Sequence, residues 1–120
     1  MIYGIGCDIC DINRIEDAPE GFSERFFTKD EQELFQSKKK PYQTVAANFA
    51  VKEAFSKALG TGVSGFGLRD VEVLRDEKGK PYINLFGNAE TVCKNLGIEN
   101  IHVSISHTDK LCMAYVILEK

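Results

Sequence analysis

The chain has 120 residues, of which 43% are hydrophobic and 28% charged, and its formal net charge is −3. This length and composition predict a single globular domain over residues 1–120. The negative charge argues against general nucleic-acid binding, which needs a basic surface. No apolar run is long enough to span a membrane, and the N-terminus lacks the features of a signal peptide, so we expect a cytoplasmic protein without membrane attachment.

The N-terminal residues predict a strand followed by a short helix. In residues 2–9 other residues alternate with glycines, a pattern that predicts a strand. Cys7 in this strand is expected to be a small buried residue. Cys7 and Cys10 form a C-x-x-C pair, for which a redox or zinc role is the alternative. Neither a second such pair nor a suitably spaced histidine pair accompanies it. Asp11 is suited to cap a helix over residues 11–16.

Two further helices are predicted before residue 60. Thr28 and Glu31 fit a capping box, which predicts a helix that runs to about residue 37, followed by a loop that ends at Pro41. Apolar residues at a period of 3.6 over residues 44–59 predict a long and largely buried helix that stops at Gly60. The glycine-rich loop over residues 60–67 is a candidate for wrapping a ligand.

The C-terminal half alternates between hairpins and a helix. Residues 68–74 and 80–86 predict a hairpin, and a helix over residues 88–96 is ended by Gly97. Residues 101–106 and 111–118 predict a last antiparallel pair. Hairpins without a repeated βαβ unit predict an α+β fold, with antiparallel sheet packed on the long central helix.

Charged residues interrupt this otherwise apolar pattern. The polar residues of the long helix fall in two rows, Asn48–Lys52–Ser56 and Glu53–Lys57. Glu53 and Lys57 form either an ordinary surface ion pair or a carboxylate and an ammonium that face a charged ligand. Asp8 is disfavoured inside a strand, so it either caps the next helix or binds a metal. A pair of carboxylates from a strand and a helix suits Mg²⁺, which completes its coordination with water and phosphate oxygens.

The stretch HVSISHT carries further polar residues near the C-terminus. Ser104 and Ser106 share one strand face with His102, and His107 stands where the strand enters its turn. The serines are either the polar face of a half-buried strand or part of a site. His107 at a strand end can bind phosphate or transfer a proton. No G-x-S-x-G or P-loop motif is present.

Three stretches, GIGCDI, FAVKEAFSKALG and HVSISH, resemble in order and spacing the bacterial holo-acyl-carrier-protein synthases, the small 4′-phosphopantetheinyl transferases. The resemblance runs nearly end to end and includes RFFTKDE and DEKGKPYI. It implies transfer of 4′-phosphopantetheine from coenzyme A to a serine of apo acyl carrier protein. It also implies dependence on Mg²⁺, release of adenosine 3′,5′-bisphosphate, and a role in fatty acid biosynthesis. Members of this family are typically homotrimers with active sites shared between neighbouring subunits.

The resemblance assigns roles to individual residues. Asp8 and Glu53 match the metal-holding carboxylates, and together with Lys57 and His107 they form the implied catalytic set. The implied coenzyme A contacts are Lys57, Gly60, Pro81, Ser104, Ser106 and His107. Arg14 and Arg25 are implied in docking of the carrier protein. The proton of the attacking serine goes either to Glu53 or to a metal-bound water, and the sequence does not separate the two.

Two departures from the family pattern affect these expectations. Asn48 stands where a family member often carries arginine, which implies the loss of one phosphate contact and reliance on other groups. The segment IEDAPEGF after Arg14 is acidic where basic residues are expected, so Arg14, Arg25 and Lys29 would carry the docking instead. Three other functions stay open: a regulatory nucleotide-binding module, a structural trimer and a Mg²⁺-dependent hydrolase of coenzyme A.

Overall fold

A computed structural model describes residues 1–120. The strands are β1 (Ile2–Asp11), β2 (Val71–Arg75), β3 (Pro81–Leu85), β4 (Asn100–His107) and β5 (Leu111–Glu119). The helices are α1 (Ile12–Glu16), α2 (Phe22–Phe26), α3 (Lys29–Gln36), α4 (Pro41–Leu59) and α5 (Gly87–Leu96). An antiparallel sheet of order β1-β5-β4 and the hairpin β2-β3 accompany the 19-residue helix α4, so the predicted α+β fold is confirmed. None of the helices has the length and hydropathy that crossing a bilayer requires.

Local signals explain where most of these elements begin. The Asp11 side chain accepts a hydrogen bond from the backbone N–H of Asn13 at the start of α1, and the capping box of Thr28 and Glu31 closes at the start of α3. Two expected bounds were wrong. Helix α4 begins at Pro41 and not at residue 44, because the fixed φ and missing N–H of proline suit a first helical turn. Residues Leu68–Asp70 form a 3₁₀ turn before β2 and are not part of the strand. The short helix α2 was not predicted, since it carries no side-chain cap that the sequence could have signalled.

Two glycines let β1 lie directly on the backbone of α4. A Cβ atom added to Gly4 would stand 1.9 Å from the carbonyl oxygen of Ala58, and one added to Gly6 would stand 1.9 Å from that of Ala54. Any larger residue would therefore push the strand away from the helix. This close approach fixes the distance between α4 and the next inward-facing residue of β1, Asp8.

The two faces of β1 differ in environment. Gly6 and Cys10 face α4 and are buried, whereas Cys7 is exposed on the other face. The expectation that Cys7 is buried was wrong, because the inward face of the strand is the one that carries the glycines. Since residues three apart in a strand point to opposite faces, Cys7 and Cys10 cannot act as one C-x-x-C pair here.

The face of the three-stranded sheet turned away from α4 has no covering layer, and we call it the open face. Its exposed large apolar side chains are Tyr3, Ile5, Ile9, Leu111, Met113 and Tyr115. The register places Tyr115 between Cys7 and Ser104, so the serines of β4 lie on this face as well. A contiguous apolar surface of this kind marks an interaction site more often than isolated exposed residues do.

A buried polar network joins α4 to its other neighbours. Glu31, Asn48 and Lys52 are each 0% exposed. Lys52 Nζ donates to Glu31 Oε1 at 2.8 Å and to the carbonyl oxygens of Leu68 and Val71 at 2.9 and 2.7 Å. Burial raises the pKa of Glu31 and lowers the pKa of Lys52, and the attraction between the two charges opposes both shifts. The network connects α3, α4 and β2.

Candidate active site

An ion pair between β1 and α4 forms the centre of the candidate site. Lys57 Nζ donates to Asp8 Oδ1 at 3.0 Å, with 57% of the lysine side chain and 20% of the aspartate side chain exposed. Lys57 thus forms its ion pair with Asp8 and not with Glu53, so the interpretation as a simple i,i+4 surface pair was wrong. Asp8 does not cap α1 either, because Asp11 does. The hydrogen bond to Asp8 and its negative charge raise the pKa of Lys57.

Glu53 brings a second carboxylate to the same place. Burial raises the pKa of its carboxyl above the ordinary value of 4.5, and the negative charge of Asp8 raises it further. The positive charges of Lys57 and Arg14 oppose these effects. Because Asp8 and Glu53 repel each other, the pair is stabilised by any cation placed near both.

The donor set fits a hard divalent cation. Two carboxylates and no cysteine or histidine contribute, and nowhere in the chain do three or more His, Cys, Asp or Glu side chains gather as a metal site. Mg²⁺ is commonly held by one or two protein carboxylates, and it takes its other ligands from water and substrate phosphates. A structural zinc site would need four closed ligands, which these residues do not supply.

A separate basic cavity of about 490 Å³ lies at the other end of α4. Its basic lining residues are Lys38, Lys39, Lys40, Arg75 and His107. Pro81 and Gln43 line it as well, and Nε2 of Gln43 lies 3.1 Å from Nδ1 of His107. No Asp or Glu lines this cavity, so its charge suits an anion.

The structure brings only some of the expected residues together. Asp8, Glu53 and Lys57 form one group, whereas Pro81 and His107 lie in the basic cavity near the first turns of α4. Ser104 and Ser106 are exposed on the open face of the sheet, and Gly60 ends α4 with φ of 83° just beyond Lys57.

The two arginines implied in docking are both exposed on the helices that follow β1. Arg14 acts electrostatically on Glu53 and lines an apolar cavity of about 370 Å³ together with Phe22 and Phe49. The Arg25 guanidinium lies 5.2 Å from the centre of the Phe26 ring. Arg14 therefore lies between the surface formed by α1 and α2 and the carboxylates of Asp8 and Glu53, and Arg25 adds a second positive charge to that surface.

Sequence reasoning missed the basic cavity almost entirely. The run Lys38–Lys40 before α4 was the one feature of the sequence that pointed to this cavity, and a short run of lysines is usually a solvated loop. Arg75 and Gln43 carried no signal, because they reach the cavity from segments far apart in the chain. Asn48 is fully buried, so neither it nor a polar replacement of the same size would contact a ligand directly.

Paired carboxylates with a lysine beside them, in a chain that also holds a basic cavity, are groups of the kind that suit a divalent cation and phosphate oxygens. The family model described as the 4′-phosphopantetheinyl transferase superfamily matches residues 4–116. The chain therefore belongs to the 4′-phosphopantetheinyl transferase superfamily, and its assignment as an enzyme of this class is confirmed.

Individual relatives agree with the family match along the whole chain. A holo-[acyl-carrier-protein] synthase of Clostridium botulinum (strain Alaska E43 / Type E3) is 51% identical over 122 residues, which cover 99% of this chain and 98% of the relative. The crystal structure of the Neisseria meningitidis holo-[acyl-carrier-protein] synthase is similar with a TM-score of 0.92 and 34% identity, covering 100% of both chains. A Bacillus anthracis holo-(acyl-carrier-protein) synthase, solved in complex with CoA (3′,5′-ADP), has a TM-score of 0.84 and 37% identity, covering 98% of this chain and 96% of that one. The resemblance inferred from the three motifs is thus confirmed.

Proposed function

We propose that this protein transfers 4′-phosphopantetheine from coenzyme A to a serine of apo acyl carrier protein. The observation that carries the proposal is the grouping of Asp8, Glu53 and Lys57, in a chain whose relatives bear the name of this reaction. The similar Bacillus anthracis structure, solved in complex with CoA (3′,5′-ADP), supports coenzyme A as the donor substrate. The reaction would depend on Mg²⁺ and release adenosine 3′,5′-bisphosphate.

The residues have complementary roles in this reaction. Asp8 and Glu53 would hold Mg²⁺, which when bound neutralises charge on the pyrophosphate. Lys57 Nζ, exposed and already pointing at Asp8, donates to the same phosphate oxygens. The serine oxygen forms a bond to the phosphorus that carries pantetheine, and the bond from that phosphorus to the leaving bisphosphate breaks.

Glu53 is the residue of this chain best suited to accept the serine proton. Its carboxylate stands in the same group as Asp8 and Lys57, where the serine hydroxyl would approach the pyrophosphate. A water molecule in the site is the alternative acceptor, with Glu53 orienting it. In both cases replacement of Glu53 removes the reaction.

The basic cavity is the proposed place for the phosphorylated adenosine end of coenzyme A. Pro81 offers an apolar surface for the base, and His107 stands among lysines without any competing carboxylate. In one chain this cavity and the group around Asp8 lie at opposite ends of α4. A homotrimer that covers the open face, with Ser104 and Ser106 at the boundary, would complete each site from two subunits.

The carrier protein would dock on the surface of α1 and α2. Arg14 and Arg25 supply positive charge there, and the apolar cavity beside Arg14 accepts a hydrophobic side chain of the partner. Both features suit an acidic carrier with an apolar anchor. The reaction would take place in the cytoplasm and serve fatty acid biosynthesis.

Intact-mass spectrometry of an apo acyl carrier protein tests this function directly. The carrier is incubated with the protein, coenzyme A and Mg²⁺, next to Glu53→Gln, a chelator control and the surface variant Lys94→Gln. We expect one added phosphopantetheine with the wild type and with Lys94→Gln, and none with Glu53→Gln or the chelator. Cleavage of coenzyme A without gain of mass on the carrier would favour the hydrolase instead.

A further inference from the structure

The Arg75 guanidinium occupies the wall of the basic cavity in a fixed position. It is half-buried at the end of β2, and its Nη2 donates to Asn48 Oδ1 at 2.9 Å. Its Nη1 lies 3.3 Å from the carbonyl oxygen of Leu74. A guanidinium has five N–H donors, so groups remain free for an anion in the cavity. The lysines of the cavity are all exposed, and Arg75 is its only basic side chain anchored on a buried group.

The orientation of Asn48 is determined by its other partners. Its amide nitrogen donates to Glu31 Oε2 at 3.0 Å and to the carbonyl oxygen of Val73 at 2.9 Å. Both partners are acceptors, so the nitrogen must point at them and the amide oxygen must point at Arg75. Glu31 is in turn held by Lys52. Asn48 therefore holds the guanidinium of Arg75, which faces the cavity, in a fixed position relative to the buried network.

We propose that Arg75, positioned by Asn48, is the residue through which the basic cavity distinguishes coenzyme A from forms that lack the 3′-phosphate. The inference rests on the proposed function and deepens it, because the pyrophosphate is assigned to the group around Asp8 and one phosphomonoester of the substrate remains. The planar fork of arginine matches two oxygens of a phosphate at once, which an exposed lysine does not.

The same arrangement explains how Asn48 is compatible with phosphate binding. An arginine at position 48 would lie in the buried network, where Glu31, Val73 and Arg75 already surround the side chain. In this chain the positive charge comes from β2, and residue 48 supplies the acceptor that holds it. Burial lowers the pKa of Arg75, whereas the charge of Glu31 opposes that shift.

Steady-state kinetics with two donor substrates test the inference. Coenzyme A and 3′-dephospho-coenzyme A are compared in carrier modification by the wild type, Arg75→Gln, Arg75→Lys, Asn48→Leu and the control Lys94→Gln. For Arg75→Gln we expect the KM for coenzyme A to rise about tenfold to a hundredfold, as for lost charge-assisted hydrogen bonds, with kcat nearly unchanged. Its KM for 3′-dephospho-coenzyme A should stay close to that of the wild type.

The other variants separate position from charge. Arg75→Lys should retain part of the preference for coenzyme A over 3′-dephospho-coenzyme A, measured as the ratio of the two KM values. Asn48→Leu should weaken this preference without removing it. Loss of stability alone would not change the ratio of the KM values. Equal KM changes for both donors, or no change for either, would overturn the inference.

Calorimetry keeps the test independent of the transfer reaction. Adenosine 3′,5′-bisphosphate and adenosine 5′-monophosphate are titrated into wild type and Arg75→Gln. Selective weakening of bisphosphate binding supports the inference even where no carrier is modified and the proposed function has failed. Equal binding of the two nucleotides by the wild type overturns it even where transfer is observed.

Discussion

Lys57 Nζ lies 3.0 Å from Asp8 Oδ1, so the last turn of α4 is joined to β1 at the point where a second carboxylate, Glu53, also stands. The lysine offsets part of the repulsion between the two acids. The three residues come from a strand and a helix that are held together by Gly4 and Gly6. The chemistry of the site therefore depends on the backbone packing beside it.

Replacement of Glu53 should stabilise the protein while it removes activity. The pKa of Glu53 is raised in the folded state, so the fold favours the protonated carboxyl. The contribution of this group to stability is therefore fully present below about pH 4.5, and it is lost as the pH rises through the pKa of the folded state. Without metal, Glu53→Gln should equal the wild type in acid and have a higher Tm at neutral pH, by roughly 1–4 °C. Thermal unfolding in chelator from pH 4 to pH 8 measures this difference, and a wild type that is the more stable at neutral pH would contradict it.

Magnesium should reverse that order. A ligand that binds only the folded state stabilises it in proportion to the logarithm of its concentration over Kd. We expect the Tm of the wild type to rise with added Mg²⁺, and those of Asp8→Asn and Glu53→Gln to stay almost constant. Ca²⁺ and a monovalent salt of equal ionic strength are the controls. An equal rise in all three proteins would show that the effect does not come from this pair of carboxylates.

Gly6→Ala should disturb both stability and activity. The new methyl group would collide with the carbonyl oxygen of Ala54, and overpacking of this kind costs about 1–3 kcal/mol or more. Gly67→Ala is the matched control, because Gly67 has φ of −101° and no atom within 4 Å of the added Cβ. Urea unfolding should show a clear loss for the first variant only. If both variants unfold at the same midpoint, β1 does not need to lie so close to α4.

Lys52→Met should be among the most destabilising substitutions of α4. It leaves Glu31 buried without its ammonium partner, and removal of one member of a buried pair costs about 3–5 kcal/mol. The double variant Lys52→Met with Glu31→Gln removes the uncompensated charge and should recover part of this loss. The midpoint of urea unfolding at constant m-value measures both. Glu31→Gln alone completes the comparison. If the double variant loses as much unfolding free energy as the two single variants together, the two residues are not coupled.

Tyr115→Glu should prevent self-association without unfolding the chain. Tyr115 is 45% exposed in the middle of the open face, and a charge there would be costly to bury between subunits. Tyr82→Glu is the control, since Tyr82 is similarly exposed (41%) but lies on β3 outside that face. Light scattering coupled to size exclusion should give a smaller species for Tyr115→Glu only, with loss of transfer activity. A trimer that persists in this variant would place the interface elsewhere.

The sequence signals that pointed to Asp8, Glu53 and Lys57 are local, and the structure places the three side chains near one another. Glu53 and Lys57 are one helical turn apart, and an aspartate inside an apolar strand is conspicuous by itself. The capping box at Thr28 and the glycine at position 60 are equally local, and both are where they were expected. The resemblance of the motifs to the family then implied the roles of these residues, which stay predictions.

Long-range pairing decided the features that the sequence did not predict. Lys52 and Lys57 have the same residue type on the same helix, yet one is fully buried and the other exposed, because Glu31 of α3 meets only Lys52. The basic cavity forms where the residues before α4, the β2-β3 hairpin and the end of β4 meet. Periodicity within one segment contains no information about contacts between segments that are far apart in the chain.

The carboxylate of Glu31 has a consequence for the motions of the domain. Its Oε1 accepts from the backbone N–H of Thr28 at 3.1 Å and from Lys52 Nζ at 2.8 Å, and its Oε2 accepts from Asn48 and from the backbone N–H of Val73. One carboxylate thus caps α3, neutralises the charge of Lys52 on α4 and accepts a hydrogen bond from a backbone N–H of β2. Opening of α3, α4 or β2 would break a hydrogen bond to this one buried carboxylate in each case, so we expect the three elements to unfold as one cooperative unit.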